Sequence, residues 1–434
     1  MNKPNFIIIY ADDLGYGDLG CYGSQNIKTP HIDSIAKSGV RFTNWYSNSP
    51  VCSPSRASLL TGRYPVNTGI SQILGGKRGT QGLGTDQITL ARLLKNNGYK
   101  TGIFGKWHLG VTNEHGPNKH GFDEFFGILA GCVDYYSHIF YWEQQNGVNP
   151  VHDLWENGEE VWCNGQYLTE VITEKSIQFI EKIDNEPFFL YVPYNAPHYP
   201  MHAPPEYLDR YAHLPADQRI MAAMISAMDD GIGKIIDTLK QVNKYENTVI
   251  FFSSDNGPST ESRNYLDGTE DLYYGGSAGI FRGHKASLFE GGIREPAILS
   301  SPSLLPQGKV CDKVGAMMDV FPTFLELAGI AMPDNHRMDG QSVCKMISET
   351  EYQTHTQVFW EYNGQLAVRQ GQWKLVLNGM LDFSRKQADP VHLSNLDDDP
   401  GERNNLAETH PQIVADLKEE IKKWMKKHKI EKVV

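Results

Sequence analysis

The sequence has no CxxC pair. Its six cysteines, Cys21, Cys52, Cys132, Cys163, Cys311 and Cys344, lie scattered along 434 residues. That spacing is neither a zinc pattern nor a disulfide framework. There is no excess of basic residues either. The formal net charge is −12, which argues against a nucleic-acid partner. An acidic protein can still hold one small anion in a locally basic cleft. No apolar run approaches the length of a membrane span, and no repeat or low-complexity segment is present. The apolar run Phe6–Tyr10 near the start is too short for a secretory leader and reads as a strand. The expected compartment is the cytoplasm, or a secreted or periplasmic one if a leader has been removed.

What is present suits a folded, loop-rich enzyme. The chain is 40% hydrophobic and 21% charged, with 41 Gly and 23 Pro, which excludes disorder over most of its length. Its size fits one large domain plus a smaller one. Continuous apolar runs at Phe6–Tyr10, Thr101–Phe104, Phe188–Val192 and Thr248–Ser253 read as strands buried on both faces. Helical patterns at His31–Ser38, Ile88–Asn96, Thr169–Ile183 and Met221–Gln241 alternate with them. The fold class is therefore α/β, a large mostly parallel sheet sandwiched by helices. After about Ser348 the pattern changes to short strands with tight turns (Gln357–Trp360, Leu366–Gln370, Trp373–Leu377) and a final amphipathic helix, Glu408–Lys427. We expect a catalytic domain over 1–348 and a small α+β domain with an antiparallel sheet over 349–434.

Ligands of such sheets sit beyond the carboxyl ends of the strands. There the sequence places Asp12-Asp13 after the first strand and Asp255-Asn256 after the strand Thr248–Ser253. Two carboxylate-bearing strand ends that converge call for a hard divalent cation, and an all-oxygen set argues against zinc. A third acidic pair, Asp229-Asp230, lies within an amphipathic helix and reads as a helix face with at most a capping or ion-pair role. His31, His213 and His355 read as structural.

Cys52 precedes Ser53, an expected N-cap, and Pro54; Gly62 suits the stop of a short helix. A thiol there would feel the positive end of that helix, with Arg56 one turn in. The Cys-x3-Arg spacing does not match the Cys-x5-Arg loop of cysteine phosphatases. A thiolate is also a poor neighbour for hard metal ligands. From the residues alone, a buried structural cysteine is the commoner outcome.

The segment CSPSR (52–56) fits the Cys-x-Pro-x-Arg signature of the formylglycine-dependent (type I) sulfatases of the alkaline phosphatase superfamily, and ASLLTGRYP (57–65) continues it. ADDLGYGDLGCYG, GYKTGIFGKWHLG, HGFDEFFG, SSDNG, KASLFEGGIREP and LSNLDDDPGERNNLA resemble segments of that family in the family's order, over nearly the whole chain. The arylsulfatases and N-acetylgalactosamine sulfatases are the members it most resembles. The resemblance implies an alkaline-phosphatase-like fold and a sulfuric ester hydrolase. Cys52 would be oxidised to formylglycine, whose gem-diol is the nucleophile. The implied Ca²⁺ ligands are Asp12, Asp13, Cys52 in its oxidised form, Asp255 and Asn256. Lys106 and Lys285 would bind sulfate, His108 would orient or deprotonate the diol, His198 would protonate the leaving oxygen, and Arg56 would orient formylglycine. A formylglycine-generating or anaerobic sulfatase-maturating enzyme is the implied partner.

Asp134, Tyr135 and His138 are candidates for sugar contacts. Some relatives place Ser-His in this loop as a sulfate donor, whereas this chain has Gly131-Cys132. The expected substrate is a terminal N-acetylgalactosamine or galactose sulfate of a glycosaminoglycan or mucin. The alternatives are a phosphate or phosphonate ester hydrolase of the same superfamily and a non-catalytic protein that binds sulfated glycans.

Overall fold

A computed structural model describes residues 3–140, 150–260, 275–334, 336–349, 351–384 and 388–431. The first apolar run becomes β1 (Asn5–Ala11), buried at every position. It is followed by β2 (Gly39–Tyr46), β3 (Lys100–Lys106) and β4 (Glu124–Ile128). Then come a short hairpin, β5 (Ile139–Phe140) with β6 (Val151–His152), and β7 (Trp155–Glu156), β8 (Glu159–Glu160) and β9 (Phe188–Pro193). The large sheet is completed by β10 (Thr248–Ser254), β11 (Arg294–Ser300) and β12 (Lys309–Ala316).

The ten strands run in the order β12-β2-β11-β10-β1-β9-β3-β4-β7-β8. The centre, from β10 through β1, β9 and β3 to β4, is parallel. β11 runs antiparallel between β10 and β2, and β7 and β8 add an antiparallel edge. Successive side chains of β1 feed opposite cores, as period-two geometry requires. Ile7 and Ile9 join one cluster, and Phe6, Ile8 and Tyr10 the other. The helices Leu168–Lys182 and Ala216–Gln241 cover the first face, while Leu90–Asn96 and Val320–Ala328 cover the second. Asp229 does cap: it accepts from the backbone N–H groups of His31 (3.1 Å) and Ile32 (2.8 Å) at the start of the helix Pro30–Lys37. Asp230 pairs with Arg210. Among the described residues no helix is long and apolar enough to cross a membrane.

A second, antiparallel sheet comprises β13 (Gln357–Tyr362), β14 (Gln365–Gln370), β15 (Trp373–Leu377) and β16 (Val391–Asn395), in that order. The helix Pro411–Lys427 covers one face with Leu417, Ile421 and Trp424. The other face shares a core with the large sheet's surroundings: Val358, Trp360 and Val376 pack with Tyr46, Val51, Leu288 and Phe289. Trp360 donates to Ser47 O at 2.8 Å, and Gln365 donates to Ala286 O at 2.8 Å. A buried ionic network crosses the same seam. Lys374 lies 2.8 Å from Glu290 and 3.3 Å from Glu402, and Glu290 also holds Arg294 and the Tyr46 hydroxyl. The small sheet thereby fixes the loop 284–290, which carries Lys285.

Candidate active site

The register of the central strands creates the site. Ala11 of β1 pairs with Ser254 of β10, so Asp12-Asp13 and Asp255-Asn256 leave the sheet side by side. Asp13 takes a left-handed backbone (φ 63°), which breaks strand alternation at the second carboxylate. Its N–H donates to Asp255 Oδ1 at 3.2 Å, and its Oδ1 accepts from Asn256 Nδ2 at 2.7 Å. Asp12, Asp13, Cys52 and His198 each present a ligand atom within 4.8 Å of the others. His198, expected as an acid, thus stands in the close group, while Asp255 and Asn256 flank it. The donor set is mainly hard oxygen, and Asn256 Oδ1 is buried with no hydrogen-bond partner among the described residues. An acceptor oxygen in that position suits an oxygen-liganded divalent cation.

The helix Cys52–Thr61 starts two residues earlier than a cap at Ser53 requires: Val51 is the N-cap and Cys52 is the first helical residue. Ser53 instead accepts from the Leu74 N–H at 3.1 Å. The Cys52 Sγ faces Asp12 Oδ1 at 3.6 Å. Burial first, and Asp255 second, push the thiol well above its ordinary range, against Lys106 and Lys285. The helix terminus does not make this cysteine a thiolate. Arg56, fully buried, donates to Asp255 from Nε (3.0 Å) and Nη2 (2.7 Å) and lies 3.2 Å from Asp12.

Two lysines complete the charge balance. Lys106, the last residue of β3, meets Asp12 at 2.7 and 2.9 Å, and Lys285 meets Asp13 at 2.8 Å. Burial by itself would raise the Asp12 carboxyl, but Lys106, His198 and Arg56 outweigh it and hold it below its ordinary value. Three carboxylates (Asp12, Asp13, Asp255) thus face three cations (Arg56, Lys106, Lys285) in a buried space. A divalent cation added to this balanced set leaves a net positive site for an anionic ester.

The histidines take defined tautomers from their partners. His108 Nε2 lies 2.9 Å from Leu74 O, which only accepts, so Nε2 carries the proton and Nδ1 keeps its lone pair. Nδ1 is buried without a partner among the described residues. Burial, then Lys106, push this imidazole well below its ordinary pKa, so it is neutral. His108 also sits in the left-handed region (φ 52°), a strained choice for a non-glycine residue. His198 Nδ1 donates to Tyr199 O, and its Nε2 accepts from Lys285 Nζ at 3.1 Å.

Other residues act through these. The Tyr135 hydroxyl lies 2.8 Å from both Asn195 O and His198 O and so supports the His198 loop. Asp134 accepts from two backbone N–H groups and faces His202 at 3.3 Å. His138 is fully buried with Nε2 against Gln166 O, and neither residue enters the charged cluster. His284 is half-buried beside Lys285. His355 pairs with buried Asp319 at 2.8 Å, a structural role as its sequence context suggests. Two contributors were given no role from the sequence. A Cβ on Gly131 would lie 2.7 Å from His108 Cε1, so the Gly-Cys departure in this loop makes room for that ring. Glu295 of β11 is wholly buried. Burial, then Asp255 and Asp13, push its pKa well above the ordinary value against a side-chain hydrogen bond with Ser47.

Comparison with known proteins identifies the family. The Sulfatase family model matches residues 4–330, and the model for the C-terminal part of N-sulphoglucosamine sulphohydrolase matches 276–428. Arylsulfatase J of Mus musculus is 33% identical over 96% of this chain and 75% of its own length. N-acetylgalactosamine-6-sulfatase of Homo sapiens is 34% identical over 86% of this chain and 71% of its own. The crystal structure of Ps i-CgsB in complex with k-i-k-neocarrahexaose superposes with a TM-score of 0.84 at 34% identity, covering 98% of this chain and 93% of that one. The chain belongs to the sulfatase family and is a sulfuric ester hydrolase.

Proposed function

We propose that the protein hydrolyses a sulfate monoester on N-acetylgalactosamine or galactose of a sulfated glycan, with Cys52 converted to formylglycine and one Ca²⁺ held by Asp12, Asp13, Asp255, Asn256 and the converted residue. The observation that carries this reading is the buried, charge-balanced cluster around a cysteine whose own thiol is kept neutral. A thiol whose ionisation is disfavoured is a poor nucleophile but a suitable precursor. The oxidised residue supplies a hydrated aldehyde as nucleophile, and the metal supplies Lewis-acid activation and charge. The substrate class is supported by relatives named N-acetylgalactosamine-6-sulfatase and by the carrageenan oligosaccharide complex.

The chain's own residues take these parts. His108 offers the bare Nδ1 as a base. Lys106 and Lys285 exchange their carboxylate partners for sulfate oxygens and neutralise them in a water-poor site. His198 accepts at Nε2, so it donates to a leaving oxygen only after taking a proton there, with the Lys285 ammonium adjacent. Arg56 stays on Asp255 and fixes that carboxylate. His202, paired with the partly exposed Asp134, is better placed for sugar contact than buried His138. A formylglycine-generating or anaerobic maturating enzyme is the required partner.

The test is sulfate release from N-acetylgalactosamine 4-sulfate and 6-sulfate, with Cys52→Ala as blank, beside mass analysis of the tryptic peptide Phe42–Arg56. We expect release from one isomer and a peptide lighter by the exchange of H₂S for oxygen. A free thiol in an active preparation would refute the formylglycine route.

A further inference from the structure

Trp162 is 63% exposed, the most exposed of the large apolar side chains described. Isolated exposed apolar residues are common, but this one is held in place. Its ring lies flat on His152, with centroids 3.6 Å apart and planes 11° from parallel. His152, in β6, is 8% exposed, and its Nδ1 lies 3.1 Å from Glu160 Oε1. Glu160 in turn receives Arg78 Nη2 at 3.1 and 3.2 Å. One face of the indole is therefore fixed by a stacked imidazole. A carboxylate and a guanidinium are locked together beside that pair.

This cluster is tied to the active site by two routes. Arg78 lies four residues along the chain from Leu74, so the two Cα atoms are at most about 14 Å apart. Leu74 O is the partner of His108, and Leu74 N is bonded to Ser53, next to Cys52. On the other side, the His152 ring meets His138 edge-on at 6.3 Å. His138 ends the short loop whose Tyr135 holds the His198 carbonyl. Through Glu160 and His152, the exposed indole is thus linked to two segments that also touch the reacting centre.

From this arrangement we propose that Trp162, with Arg78 and Glu160, forms a subsite for a sugar beyond the one that bears the ester. The occupant is a pyranose of an oligosaccharide, its C–H face stacked on the open face of the indole and its hydroxyls bonded by the guanidinium and carboxylate at the rim. Because the ring is fixed from behind and the ion pair is already formed, little side-chain freedom is lost on binding. The subsite rests on the reading of the chain as a glycan sulfatase and extends it: the preferred substrate is an oligosaccharide rather than a single sulfated sugar.

The experiment is calorimetric titration of the non-reacting Cys52→Ala protein, with and without Trp162→Ala. The probes are 4- and 6-sulfated galactose and N-acetylgalactosamine, each as a monosaccharide and as a tetrasaccharide carrying the same sulfated residue. We expect a tetrasaccharide to bind at least about tenfold more tightly than its monosaccharide, and Trp162→Ala to remove that advantage while sparing the monosaccharide, as truncating an aromatic anchor does. Trp162→Phe should restore part of it. An unchanged tetrasaccharide affinity in Trp162→Ala, an equal loss for both sizes, or no tetrasaccharide binding at all would overturn the subsite. Turnover of 4-methylumbelliferyl sulfate by the converted wild-type protein reports separately on the sulfatase chemistry, so its failure is distinguishable from failure of the subsite.

Discussion

Gly131→Ala is the smallest change that should disable the site without touching a charged residue. The new methyl would lie 2.7 Å from Cε1 and 2.8 Å from Nε2 of His108. His108 cannot recede freely, because Nε2 is held to Leu74 O and the residue is already in a left-handed conformation. The ring must therefore swing out of its bond. Overpacking of this kind costs about 1–3 kcal/mol, and the lost hydrogen bond adds about 1 kcal/mol. The protein should still fold, with a lowered melting temperature. The rate should suffer more: displacing a base by about 1 Å costs on the order of 100-fold in kcat/KM. There is also a signature in pH. Burial and then Lys106 hold the His108 imidazole well below its ordinary pKa, so the base stays available under acid conditions. A ring moved toward solvent regains a higher pKa, and the acid limb of the kcat/KM profile should move up. The assay is sulfate release over a pH series on matched preparations with equal conversion of Cys52. A variant with kcat/KM within about twofold of wild type and an unmoved acid limb would refute the role given to His108.

Asp13→Asn keeps a residue that tolerates the left-handed backbone but removes one of three carboxylates, leaving Lys285 unbalanced. Calcium per chain, measured by elemental analysis after desalting, should fall from about one to near zero, and an undiminished content would refute the ligand set. At the seam of the two sheets, Lys374→Met removes the cation shared by buried Glu290 and Glu402, leaving Glu290 with Arg294 and the Tyr46 hydroxyl, and should cost about 3 kcal/mol in denaturant unfolding. Burial raises Glu402 to about 7 from an ordinary 4.5, so the folded state holds a proton the unfolded state has released. This group's contribution is therefore full below pH 4.5 and is lost as pH rises toward 7, a slope that Glu402→Gln should abolish.

Much of the site was legible because its parts obey local rules. Continuous apolar runs mark parallel strands, and the polar residues just past Ala11 and Ser254 had to meet if those strands were neighbours, as they are. Lys106 and His198, supplied by the family resemblance, lie on the same sheet edge, at the end of β3 and just beyond β9. The antiparallel β11 and its neighbour β2 were not read. Their inward residues, Glu295 included, gain meaning only from strand order, which one sequence does not carry. The helix start was misplaced by two residues because Ser53, a good cap by propensity, is engaged by the Leu74 N–H instead. The His108–Gly131 fit depends on two loops meeting, a non-local fact with no pattern in either segment. His138 was a candidate for sugar contact, yet it is wholly buried with Nε2 against Gln166 O.

The shared core between the two sheets sets a clock. Val51 is packed under β13 and β15, and Cys52 beside it is about 1% exposed. No enzyme could grip this helix in the finished protein. At ribosomal speeds of about 5–20 residues per second, the strands that seal the seam emerge tens of seconds after Cys52 does. If Cys52 is converted as proposed, its oxidation must fall within that interval, while the first strands exist and the small sheet does not. Slow translation of the last hundred residues would then raise the active fraction, and rapid closure of the small sheet would trap an inert thiol for the life of the molecule.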